Sequence, residues 1–70
     1  MDDEQRLGLQ EISDNFGRED FKVFDLSNDE YELKWLDTKI KMKKHTFDAL
    51  VKKGEITKRS GQTYYYNHFL

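Results

Sequence analysis

The segment "HTFDALVKKGEITKRSGQTYYYN", residues 45–67, constrains this chain most. Phe47, Leu50 and Val51 recur at i, i+3, i+4, the apolar stripe of an amphipathic helix, and Gly54 is placed to end it. The spacing predicts a helix over 44–53. "EIT" then reads as a short strand, "KRSGQ" as a turn with a Ser-Gly signal, and "TYYYN" as the returning strand. In that strand Tyr64 and Tyr66 share one face and Tyr65 takes the other.

A core for this unit must be assembled from little material. The chain has 70 residues, no cysteine and ten aromatic residues. That predicts a single domain over 1–70 with a small core, no disulfide staple and no thiolate metal site. Charged residues make up 37% of the chain. Aromatics and aliphatics are nonetheless spread along its whole length, which favours a fold over disorder. No apolar run approaches the roughly 20 residues of a membrane-spanning helix. The acidic start "MDDEQRLG" is unlike a secretory signal, so a cytoplasmic, reducing setting is expected.

Upstream, "DEQRLGLQEISDNF", residues 3–16, reads as a helix capped by Asp2 or Asp3. Leu9, Ile12 and Phe16 lie on one face and Gly17 suits the C-terminal exit. Gly8 interrupts the pattern. "FKVFDL", 21–26, reads as a strand. Residues 27–39, "SNDEYELKWLDTK", support two structures. Ser27 and Glu30 have capping-box spacing, with Leu26 and Tyr31 at the staple positions and Leu33, Leu36 and Ile40 along a helical face. This predicts a helix. The alternative is a hairpin turning at "SNDE", with Tyr31, Leu33 and Trp35 alternating and "KIKMK" as a third strand with Ile40 and Met42 inward.

The helix reading gives an α+β domain in the order helix, short strand, two helices, C-terminal β-hairpin wing. The hairpin reading gives a β-meander over 21–43 with packed helices. The first order, together with "IKMKKHTFDALVKKGEI" and "TKRSGQTYYY", resembles the winged helix-turn-helix domains of excisionase-like and MerR-like proteins of phages and mobile elements. Ile40 and Met42 take the apolar turn positions, Thr46 and Phe47 the Thr-apolar pair, and Leu50, Val51, Gly54 and Ile56 the helix ending. The likeness covers residues 40–66. It implies a DNA-binding regulatory or recombination accessory protein, contacting duplex DNA through helix 44–53 and a wing at 57–63.

Charge supports an anionic partner. Residues 1–32 carry eleven acids against three bases, a balance of −8, and residues 33–70 carry nine bases against three acids, a balance of +6. The candidate DNA contacts are Lys43, Lys44, His45, Asp48, Lys52, Lys58, Arg59 and Gln62. Lysine and arginine neutralise phosphates or donate to guanine, and an aspartate accepts from cytosine. Acids at the first helix's start and Lys52 and Lys53 at the last helix's end also suit the helix dipoles, so part of this asymmetry is structural. The tyrosine strand could stack on unpaired bases, although alternation buries at least one ring. The acidic N-terminal half suggests a second function, a small modulator or inhibitor docking on a basic host protein, with Trp35 and Tyr31 as anchors. A homodimer is a further option. His45 and His68 lack metal-ligand spacing, the carboxylates lack a calcium-loop pattern, and there is no glycine-rich phosphate loop. No enzyme, cofactor, metal site or membrane partner is expected.

Overall fold

A computed structural model describes residues 2–68. In chain order the elements are α1 (Asp3–Phe16), β1 (Phe21–Asp25), β2 (Glu30–Trp35), β3 (Thr38–Lys43), α2 (Lys44–Lys52), β4 (Ile56–Ser60) and β5 (Thr63–Tyr66). The strands form one antiparallel sheet in the order β3-β2-β1-β5-β4. Both helices contribute to a single core on one face of it. The α2 connection carries the chain from one edge strand, β3, to the other, β4.

Local signals set both helices. The Asp2 carboxylate accepts from the Gln5 amide at 2.8 Å, satisfying one of the orphan donors of α1. Gly17 leaves the helix at φ +58° while its amide donates to the Ser13 carbonyl. Gly8 belongs to a close approach: a Cβ there would lie 3.3 Å from both Met42 Cε and Thr46 Cγ2. The missing side chain lets α1 settle against β3 and α2. Helix α2 buries Thr46, Phe47 and Leu50. Its N-cap position is Lys43, which forms no side-chain cap bond.

The helix expected over 27–39 does not form; the chain there makes the β2–β3 hairpin. The fold is α+β, with the middle of the chain following the meander alternative. Burial gives the reason. In strands, Leu33 and Met42 become buried, with Tyr31, Trp35 and Ile40 packed beside them. A helix would have aligned Leu33 with Leu36, which is instead 71% exposed. The capping-box residues serve a turn. Asn28 donates to the Glu30 carboxylate at 2.9 Å, the Leu26 amide donates to the Glu30 carbonyl at 2.9 Å, and Asp29 has φ +67°.

The C-terminal hairpin forms as expected, but its strand β4 runs on through Ser60 and the turn narrows to Gly61 and Gln62. It is also no free wing, because β5 pairs with β1. Its Tyr64 ring meets Phe47 edge-on at 5.2 Å, and Phe47 meets Tyr31 at 5.3 Å. Phe16 stacks on Phe21 at 4.9 Å. These contacts join sheet and helices through aromatic rings, the largest apolar groups the sequence supplies.

Candidate functional site

The candidate DNA contacts do not gather on one surface. Lys43 ends β3 and Lys58 and Arg59 lie on β4, so they occupy opposite edges of the sheet. On α2, several polar groups face intramolecular partners. Lys44 pairs with Asp25 at 2.6 Å and lies over the Tyr31 ring, and this ion pair raises its pKa. His45 Nε2 lies 2.5 Å from a Glu4 oxygen. Asp48 accepts from the Tyr31 hydroxyl at 3.2 Å; burial, with Asp48 adding to it, raises the tyrosine pKa. Lys52 stays exposed at the end of α2. Arg59 pairs with Asp20 at 2.8 Å and lies 4.4 Å from the Tyr65 ring centroid. Gln62 occupies the β4–β5 turn, where its carbonyl accepts from the Val23 amide.

The sheet has a second basic surface that the sequence reading did not assemble. Strand alternation sends Phe21, Val23, Leu33, Ile40 and Met42 toward the helices. It therefore sends Lys22, Phe24, Lys34, Lys39 and Lys41 to the opposite face. The register aligns three of these lysines: Lys22 is directly opposite Lys34, and Lys34 directly opposite Lys39. In the next row Lys41 faces Glu32, which faces Phe24. Tyr65 and Arg59 add a ring and a cation toward the other edge. Among the described residues, no ion pair engages Lys22, Lys34, Lys39 or Lys41, and no element covers this face. A sequence signal existed in the lysines that alternate with apolar residues through "FKVF", "LKW" and "TKIKMK", but it has meaning only once these segments are strands.

At the end of this face lies a depression of about 390 Å³ lined by Phe24, Trp35, Leu36, Lys22 and Lys34, among others. Leu36 sits in the tight β2–β3 turn at φ +53°, a left-handed conformation that leucine rarely adopts.

A second concavity, about 570 Å³, runs between α1 and edge strand β3. Glu4, Glu11, Asp14 and Glu30 line it, with Lys41 and Lys43 opposite and Leu7 69% exposed. Glu4 also ties the two helices together. It accepts from the Thr46 hydroxyl and meets His45, and these hydrogen bonds hold its carboxyl below the usual range. Among the described residues, no group of three histidine, aspartate or glutamate side chains converges as a metal site. No helix among them is long and apolar enough to cross a membrane.

Fold and surface define a small two-layer α+β protein whose sheet is closed on one face by helices and is open, basic and partly aromatic on the other. No protein-family model matches the chain, and no curated protein or solved structure matches it.

Proposed function

We propose that the protein binds nucleic acid through the open sheet face, with the Lys39–Lys34–Lys22 row contacting phosphates. The observation that carries this reading is the row itself. Like charges directly opposite across neighbouring strands destabilise a sheet, and here two such pairs adjoin without a carboxylate partner. A polyanion laid along the row removes that repulsion and releases its own counterions. The expected role as a DNA-bound regulatory or recombination accessory protein is a setting in which such a surface would work. Helix α2 is the weaker contact surface, because Lys44, His45 and Asp48 already have partners within the chain.

Fluorescence anisotropy with pooled single- and double-stranded oligonucleotides tests this. Binding should weaken steeply between low and physiological salt. Lys34→Glu should weaken it far more than Lys52→Glu on α2 or Lys58→Glu on the hairpin. No binding of either pool at low salt overturns the proposal. A larger effect at Lys52 and Lys58 returns the contact to the helix and hairpin.

The groove beside α1 favours a second reading, docking of a basic segment from a partner protein. Its carboxylates supply charge complementarity, Leu7 an apolar anchor, and the β3 edge an unpaired backbone. Such binding would survive Lys34→Glu and be lost on reversing Glu11 and Asp14.

A further inference from the structure

We propose that the ligand of the open face is single-stranded nucleic acid, with unpaired bases stacked on Phe24 and packed against Leu36 while phosphates follow the lysine row. This rests on the nucleic-acid reading above and narrows it to a substrate class.

Three observations carry the inference. First, the depression sets the Phe24 ring and the exposed Leu36 beside Lys22 and Lys34, with Asp20 also in its lining and the Trp35 side chain turned by strand alternation toward the core. Phosphate contacts need only the lysines; a ring beside them suits the π-face of a base, which every nucleotide possesses. Second, Leu36 is hard to explain by folding. It is 71% exposed, absent from the core, and held at φ +53° where asparagine or glycine would be relaxed. A large apolar side chain kept in a strained turn beside a basic depression is a feature that binding sites retain against stability. Third, the shape favours a single strand over a duplex at the Phe24 ring. Neighbouring strands lie about 4.8 Å apart, so five strands span about 19 Å. The major groove is about 12 Å wide and admits a helix or a two-stranded ribbon. Phe24 lies on β1, the central strand, beyond the last β5 pairing at Lys22 and level with Glu32 on β2 and Lys41 on β3. With β2 and β3 beside it, the Phe24 ring meets a base edge within a duplex poorly, whereas a single strand can lay its bases onto the sheet.

The full chain offers a direct probe, because Trp35 is its only tryptophan. Short oligothymidylate, a duplex of equal length and heparin are each titrated at one low salt concentration, following Trp35 fluorescence and anisotropy. The single strand should bind at least about tenfold more tightly than the duplex and quench Trp35. Heparin, a polyanion without bases, should bind without that quench. Leu36→Asn, a substitution suited to the turn, should cost the single strand about fourfold, since each methylene-sized group that a base covers is worth about 0.8 kcal/mol. It should leave heparin affinity and the melting temperature undiminished. Phe24→Ala should cost the single strand about tenfold, since stacking a base on an aromatic ring is worth about 1–3 kcal/mol, with its melting curve as control for folding.

A duplex bound as tightly as the single strand overturns this inference and leaves the nucleic-acid reading standing, as does unchanged oligothymidylate affinity in Leu36→Asn. Failure of all three polyanions to bind overturns both. Heparin binding without either nucleic acid also overturns both and turns attention to an acidic protein partner.

Discussion

Leu33 and Leu36 separate the hairpin from a helix in one experiment. Leu33 is fully buried in β2, directly opposite Val23 on β1 and Ile40 on β3. Leu33→Ala removes its outer carbons at about 0.8 kcal/mol per methylene-sized group and leaves a cavity that a three-strand contact cannot close. The expected loss is about 2–5 kcal/mol. A 70-residue domain has about 4–10 kcal/mol in total, so the variant should be barely folded at room temperature. Leu36 is the opposite case. Its side chain buries little, and its left-handed backbone costs a leucine about 1–2 kcal/mol. Leu36→Asn should therefore be neutral or stabilise by up to about 1 kcal/mol. Urea unfolding followed by circular dichroism measures both. With m near 1 kcal/mol/M, the Leu33 variant's midpoint should fall by about 2 M or more while the Leu36 variant's holds or rises. Comparable losses in the two would refute this reasoning, because they are what a helix burying both residues on one face would give.

Other perturbations address the remaining contacts. Ser27→Ala should change stability by no more than about 0.5 kcal/mol, since Ser27 lies exposed in a turn and caps no helix; a loss near 1 kcal/mol in thermal melts would restore the capping box. Gly8→Val should cost about 1–3 kcal/mol by forcing α1 away from Met42 and Thr46, and an unchanged melt would mean that the helix does not approach β3 so closely. Glu4 sets a pH dependence. Its carboxyl is held below its ordinary value by Thr46 and His45, so its contribution is present at neutral pH and is lost as pH falls through the lowered folded-state pKa. Glu4→Gln should flatten the acid side of the stability profile, and an identical acid limb in both proteins would show that the α1–α2 link carries no stability.

The sequence by itself determined the parts that local chemistry decides. Asp2 and Gly17 bound α1, Gly54 follows α2, and Gly61 turns the last hairpin; in each case a residue within a few positions satisfies a backbone group or supplies a positive φ. The alternation of Tyr64, Tyr65 and Tyr66 was readable because an extended backbone sends successive side chains to opposite faces. Residues 27–43 were not, because Ser27 and Glu30 fit a cap and a turn equally well, and Tyr31, Leu33, Leu36 and Ile40 contain both a helical and a strand pattern. Burial against β1 and beneath the helices resolved them, and that term arises only between segments distant in sequence. The lysine surface has the same origin. Lys22, Lys34 and Lys39 stand together only because two pairings fix the register, and a slip of one residue would turn a strand's lysines toward the core. The opposite charges of the chain's two halves were visible in its composition; which lysines would face one another without a carboxylate between them was decided by the sheet.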